Sequence, residues 1–304
     1  MVKENGEKTK LDDVRIFWNN NPCGSDYSSA VDRKKYFEEI EKHRYTKIRS
    51  IIGIADFDKY KGKKVLEVGC GVGTDGRQFV KNGAIYYGIN LDEGSTNLAK
   101  ESFKLFGVEG EICQMNAEKM QFEDKTFDHV FSLGVLHHSP NTEEIAREMY
   151  RVLKPGGTIS VMIYNRTSIN YYLNIMFLRK LLRLALYPKS APKFFSKIMG
   201  YENEKNREIL ERHRQIMLGE KMTKEKWISI NTDGPDCPLS KVYNKSQARK
   251  IFEQAGFIDI KNYIRYFNKQ HYSFIGKLIP NFVADMIGNV AGWHRWIKAA
   301  KPLT

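Results

Sequence analysis

The sequence predicts an α/β fold: a doubly wound, mostly parallel seven-stranded sheet flanked by helices, with helical insertions forming a lid. Three observations predict it. Between positions 64 and 164, short β-rich apolar runs alternate with amphipathic helical stretches, the pattern of right-handed β–α–β crossovers. The first run passes into a glycine-rich turn, Gly69-Cys70-Gly71-Val72-Gly73. After Tyr164 the alternation stops, and it resumes only near position 245.

In chain order, residues 11–60 read as helices with aromatic anchors at Phe17, Trp18, Tyr36, Phe37 and Tyr45. "KVLEVGC" is the first strand, followed by a helix over 75–82 that ends at Asn82-Gly83. "AIYYGINL" is the second strand, and a helix over 93–106 stops near Gly107. "EICQMNA" and "FDHVFSLG" are the third and fourth. A helix over 141–153 ends at the Pro155-Gly156-Gly157 turn, and "TISVMIY" is the fifth strand. A helix over 245–255, capped by Gly256, leads into "FIDIKNYIRYF". The tail "GWHRWIKAAKP" reads as a last strand or a helix end. The expected organisation is an N-terminal helical segment (1–60), a core (61–165 and 241–304) and a lid insertion (166–240). A second excursion runs over about 269–291.

Composition narrows the class. The chain has 304 residues, 41% hydrophobic and 28% charged, ordinary for a globular protein. The first ten residues carry no apolar stretch, so no signal peptide is expected. No apolar run is long enough for a transmembrane helix. Four scattered cysteines without a CxxC pair argue against zinc or disulfides and for a reducing cytoplasm. The net charge of +13 is unevenly placed: residues 171–304 hold 24 Lys/Arg against 11 Asp/Glu, whereas residues 1–170 balance. An anionic partner would meet the C-terminal part first, or the charge only solvates that surface.

The turn narrows the ligand. A dinucleotide site wants G-x-G-x-x-G; here the spacing is G-x-G-x-G, with Thr74 where the third dinucleotide glycine would fall. The tighter form suits a ligand without a pyrophosphate, lying flat across the strand ends. "VLEVGCGVGTD", "YYGINLDEGSTNLAK", "MNAEKMQFEDKTFDHVFSLGVLHH" and "EMYRVLKPGGTISV" follow in order. With these the chain resembles the class I S-adenosylmethionine-dependent methyltransferases, Rossmann-like enzymes, in particular the small-molecule branch that includes quinone and sterol methyltransferases. The resemblance covers about 40–165 and continues over 240–304.

That resemblance implies roles. Glu67 would serve the methionine end of S-adenosylmethionine, and the backbone of Gly69, Cys70, Gly71 and Gly73 would pass under it. Asp75 would touch its ammonium or cap the helix beginning there, the cap being favoured. Asn90 stands where the family commonly has an acid for the ribose hydroxyls, and Leu91 would pack on the adenine face. Asn116 stands where the family commonly has an acid for the adenine amino group, with Ala117 and Glu118 beside it. Ser132 and Leu133, running into Gly134, would face the methionine moiety. Arg44 would meet the cofactor carboxylate, or pair with Glu41 one helical turn away.

Methyl transfer from a sulfonium needs alignment and, for some nucleophiles, a base. His138, then His137, are the candidates. Trp18, Asn21, Tyr27, Tyr164 and Tyr243 are candidate substrate-lining residues. No metal-ligand cluster is apparent. The helix "YYLNIMFLRKLLRLALYPK", apolar nearly all round and stopped by Pro188, is either a lid helix or an interfacial one. "FIGKLIPNFVADMIGNVAGW" carries the same ambiguity.

The expectation is methyl transfer to a small-molecule or lipid-like acceptor, with contact to an anionic membrane surface as a further partner. A nucleic-acid methyltransferase is disfavoured, because "SLGVLHH" replaces the Asn/Asp-Pro-Pro-aromatic motif. A dehydrogenase is disfavoured by the glycine spacing. A cofactor-binding protein without activity stays open through Asn90 and Asn116.

Overall fold

The computed structural model describes residues 2–198, 204–219, 221–272, 276 and 278–304. The chain divides into two compact units. The first comprises residues 1–164, 243–263 and 294–304; the second comprises 165–242 and 264–293.

The first unit opens with α1 (Val2–Asn20), α2 (Arg33–Lys47) and α3 (Ser50–Ala55). The alternation follows: β1 (Lys64–Val68), α4 (Thr74–Lys81), β2 (Ile85–Asn90), α5 (Glu93–Phe106), β3 (Glu111–Gln114), β4 (Phe127–Leu133), α6 (Thr142–Val152) and β5 (Leu153–Tyr164). Local signals place the helix ends. Asp92 accepts from the Ser95 N–H at the start of α5, and Gly107, with φ 61°, ends it.

The sheet order is β3-β2-β1-β4-β5-β7-β6. β1 pairs in parallel with β2 and β4, β2 with β3, and β4 with β5, whereas β7 (His294–Ala300) runs antiparallel to β5. The tail is therefore a strand. Consecutive residues of the central strands enter different core clusters. Leu66, Val130, Val161 and Ile297 join one, while Val65, Phe131, Met162 and Trp296 join the other. That is the period of two of a sheet buried on both faces.

β5 begins at Leu153, so the Pro155-Gly156-Gly157 segment expected as a turn belongs to the strand. The reason is pairing with the tail: Gly156 N–H donates to the Lys301 carbonyl at 3.1 Å, and Lys301 N–H to the Gly157 carbonyl at 2.8 Å. α11 (Lys245–Gln254) starts with a reciprocal Asn244–Gln247 capping box and leads to β6 (Ile258–Arg265).

The second unit is helical. A π-helical stretch over Asn170–Leu178 runs into α7 (Arg179–Ala185), followed by α8 (Ala191–Ile198), α9 (Glu204–Gly219), α10 (Lys224–Ile230) and α12 (Asn281–Ala291). The single helix expected over 171–189 is thus a π-helix and an α-helix in series, ending before Pro188. Trp227 Nε1–H donates to the Ile175 carbonyl at 3.0 Å and pins α10 to the π-helix. Residues 273–275 and 277 of the second apolar excursion lie outside the described residues.

Candidate functional site: the turn after β1

β1 lies at the centre of the sheet, between β2 and β4. Its chain order reverses there, so the crevice beyond the carboxyl ends of these strands is the place for a ligand. Gly69, Gly71 and Gly73 have φ of +74°, +54° and +79°. The N–H groups of Gly69 and Cys70 both donate to the Ile89 carbonyl, at 2.8 and 3.1 Å. A Cβ on Gly69 would overlap Val135 Cγ2, whereas one on Gly71 would meet nothing nearer than the Cys23 carbonyl oxygen at 3.8 Å. The turn thus leaves room above the Gly71 backbone that a flat ligand can fill.

Asn90, buried at the end of β2, holds this turn. Its Oδ1 accepts from the Gly71 N–H at 2.9 Å, and its Nδ2 donates to the Gly71 carbonyl at 3.0 Å and reaches Cys70 Sγ at 3.2 Å. A carboxylate could accept the first bond but would repel the Gly71 carbonyl; the amide satisfies both. One lone pair of Oδ1 remains for a ribose hydroxyl.

Glu67 is buried and accepts from the Tyr86 hydroxyl at 2.6 Å. Burial, then the Asp75 charge, push the Glu67 carboxyl well above its ordinary range; the Tyr86 bond and Arg44 oppose them. Two glycines make space for this contact. A Cβ on Gly88 would stand 2.8 Å from the Tyr86 hydroxyl, and one on Gly76 would overlap the same ring.

Asp75 does not cap α4. The cap is Gly73, with no side-chain hydrogen bond. Fully buried Asp75 instead takes a two-point bond from Arg44, Nε at 3.1 Å and also Nη2, and a bond from the Tyr45 hydroxyl at 2.8 Å. Arg44 is therefore not paired with Glu41, whose carboxylate binds Arg77 Nη2 at 2.7 Å. The expected meeting of Arg44 with a cofactor carboxylate competes with this pair.

After β3, Asn116 Oδ1 accepts from the Glu118 N–H at 2.9 Å, closing a local turn. The Glu118 carboxylate accepts from Ser139 Oγ at 2.5 Å and Asn141 Nδ2 at 3.1 Å, tying this loop to the one after β4. Ser132 Oγ donates to the Val68 carbonyl at 2.8 Å. The Leu91 carbonyl accepts from Gln114 Nε2 at 3.1 Å. Ala117 and Leu133 pack on the two core clusters.

His137 and His138 are buried on the short turn after β4. The His137 ring lies 3.8 Å from the Tyr164 ring and 4.3 Å from that of His138, and His138 meets Trp18 edge-on at 5.0 Å. Neither His137 ring nitrogen has a hydrogen-bond partner among the described residues. Trp18 is held by α1, whose Asn19 Oδ1 accepts from the Gly94 N–H at 2.9 Å.

Trp18, Tyr164 and the two histidines thus form one cluster. Tyr27 lies elsewhere, stacked on His43 at 3.8 Å, and exposed Asn21 donates back to the Phe17 carbonyl at 2.9 Å. The Tyr243 hydroxyl bonds Thr142 Oγ1 at 2.9 Å, and burial pushes its pKa up to about 12.

A family model described as "Methyltransferase domain" matches residues 66–161. Over this stretch the chain is similar to that family. The stretch contains the turn, Asn90, Asn116, Ser132 and both histidines. A sterol 24-C-methyltransferase of Gibberella zeae is 40% identical over 155 residues, covering 48% of this chain and 37% of that protein. A ubiquinone biosynthesis O-methyltransferase of Pseudomonas entomophila is 36% identical over 116 residues, covering 38% of this chain and 50% of that one. The chain thus spans less than two thirds of either relative. In fold it resembles the magnesium protoporphyrin IX methyltransferase of Synechocystis, solved with bound SAH. The TM-score there is 0.54 at 13% identity, over 96% of this chain and 99% of that one.

Tyr86, Tyr45 and Val135, none of them a candidate from the sequence, also bear on this turn. Gly88, directly opposite Glu67 in the β1–β2 register, was the available signal for Tyr86. A glycine at that place leaves space that a neighbouring side chain fills.

The histidines of this first unit set its acid response. Burial holds His137 well below its ordinary pKa, with the charges of His138 and His294 adding to the effect. Burial, followed by neighbouring cations, lowers His129 and His294 to about 3. Folded-state pKa values below the unfolded value mean that the unfolded chain binds protons first as pH falls. The stability these groups contribute is complete above about pH 6.5 and is lost as pH drops toward about 3. From pH 7.5 to 6.0 each such group is expected to remove about 0.8 kcal/mol. The raised Glu67 carboxyl acts with the opposite sign, so the effect is isolated by urea titrations of the wild type and His129→Gln at the two pH values. The wild-type midpoint should fall more with pH than the variant's, and equal shifts would contradict a neutral buried ring.

Proposed function

We propose that this chain is an S-adenosylmethionine-dependent methyltransferase acting on a small, lipid-like acceptor by direct in-line transfer. The observation that carries it is the open Gly71 backbone beside Glu67, Asn90 and Ser132, with Asn116–Glu118 at the next strand end. This cradle fits the cofactor, which supplies an electrophilic methyl group when bound. The residues that would hold it are the backbone of Gly69–Gly73, the Glu67 carboxyl, the second lone pair of Asn90 Oδ1, Leu91 and the Asn116–Ala117 segment.

The acceptor would approach from the side of Trp18, Tyr164 and the two histidines. Aromatic walls exclude water and align an apolar nucleophile. His138 is the base where that nucleophile is a hydroxyl. His137, held neutral by burial, orients the cluster. The lipid-like acceptor draws support from the relatives, named as sterol and ubiquinone-biosynthesis methyltransferases. Four free cysteines suit a reducing cytoplasm.

Calorimetry with S-adenosylmethionine and S-adenosylhomocysteine tests the cofactor. Radiolabelled methyl transfer to quinol and sterol acceptors tests the reaction, and His138→Gln should lower kcat on hydroxyl acceptors with cofactor affinity unchanged. Absence of cofactor binding would end this reading. A second reading, a cofactor-binding protein without activity, is favoured by the engagement of Asn90 and Asn116 with the backbone; binding without transfer would select it.

A further inference from the structure

The π-helix and α7 of the second unit bury Tyr171 and Ile175 on one face and leave a second apolar row open. The polar residues Asn170 and Asn174 are buried and bonded to each other, Nδ2 to Oδ1 at 2.9 Å. The apolar residues Leu173, Phe177, Leu181 and Leu184 recur at helical spacing and face water, with Leu184 73% and Phe177 55% exposed. Tyr172 and Tyr187 are exposed beside them. A globular helix normally buries this row, and so much clustered apolar exposure marks an interaction surface.

Along the sequence the charge of this stretch is of one sign, and Glu211 of the adjoining α9 is paired with Arg214, which itself bonds the Tyr187 carbonyl. Residues 165–200 contain seven Lys/Arg and no Asp/Glu. Lys180 sits within the row, and Lys189, Lys193 and Lys197 follow it, all exposed. No helix among the described residues is long and apolar enough to cross a membrane. α12 repeats the theme in the same unit, with Phe282, Met286 and Val290 exposed at intervals of four.

We infer that the 170–197 segment docks on the surface of an anionic phospholipid bilayer. Leu173, Phe177, Leu181 and Leu184 enter the acyl boundary, and the lysines meet lipid phosphates. An apolar row flanked by cations is the arrangement that binds an interface flat. A second copy of this chain fits worse. A two-fold contact through this segment would set the same cations against themselves, with no acidic residue within 165–200 to answer them. Docking here would place the protein where an apolar methyl acceptor is dissolved.

The test is flotation of the full chain with phosphatidylcholine vesicles, with and without phosphatidylglycerol. The protein should float with the anionic vesicles and not with phosphatidylcholine alone, and less so at high salt. Leu181→Glu with Leu184→Glu, at exposed positions that leave the packing intact, should weaken binding at least about tenfold. Brominated phosphatidylglycerol should quench the fluorescence of Phe177→Trp and not that of Val31→Trp, an exposed position of the first unit. Failure to float with anionic vesicles would overturn the inference, as would undiminished flotation of the double variant. So would a dimer that the double variant dissociates, which makes the row a self-interface. Vesicle binding is read without turnover, so it stands or falls apart from the transfer chemistry.

Discussion

Gly69→Ala is expected to lower affinity for S-adenosylmethionine on the order of a hundredfold, the scale of an ångström-size displacement in a positioned site. Two independent costs meet at this residue. Its φ of +74° lies in the left-handed region, where a Cβ costs about 1–2 kcal/mol. The added Cβ would also overlap Val135 Cγ2, with Cγ1 and Cβ at 3.0 and 3.1 Å. Valine is branched at Cβ and cannot swing aside cheaply, so overpacking adds about 1–3 kcal/mol. The turn must shift, and with it the Gly69 and Cys70 N–H bonds to Ile89. Gly107→Ala is the control. Its φ is +61° but nothing lies within 4 Å of the new Cβ, so it should show the backbone cost alone and bind normally. Calorimetry and thermal melts on the pair separate the steric effect from the backbone effect. Wild-type affinity in Gly69→Ala would remove the turn from the binding site.

Asp75→Ala should destabilise the first unit by about 3 kcal/mol or more, the cost of leaving one member of a buried ion pair behind. Asp75 is fully buried, and the Arg44 side chain is 21% exposed, which places the loss at the lower end of that range. Opposing contributions act on Arg44. Burial pulls its pKa down, the Asp75 charge and hydrogen bond push it up, and the net direction is up. The pair joins α2 to the first turn of α4, where the helix dipole also favours the carboxylate. Removing both charges with Arg44→Met and Asp75→Leu is expected to recover much of the loss, since matched apolar replacements of buried pairs are often neutral. Urea unfolding of the two single variants and the double variant measures the coupling. Equal stability of Asp75→Ala and the wild type would mean that the pair holds nothing.

Much of the core is legible in the sequence. The α5 limits follow from Asp92 and Gly107, whose effects act over one helical turn. The positions of Glu67, Asn90 and Ser132 at strand ends follow from apolar runs and glycine punctuation. Structure departs from the local sequence signal where a distant partner decides the outcome. The Pro155-Gly156-Gly157 segment became strand because the C-terminal tail pairs with it. Asp75 left its capping role because Arg44 and Tyr45, some thirty positions earlier, converge on it.

The order of strands and helices, the glycine turn and the one-signed charge of the 165–200 segment are all fixed within local stretches of the chain. These are properties of short windows, set by backbone sterics and side-chain periodicity. Long-range packing settles that Asn90 is bonded to the turn, that Tyr86 reaches Glu67 between two glycines, and that Leu181 and Leu184 face water. Each depends on which surfaces meet across tens of residues, and packing rather than local propensity makes that choice.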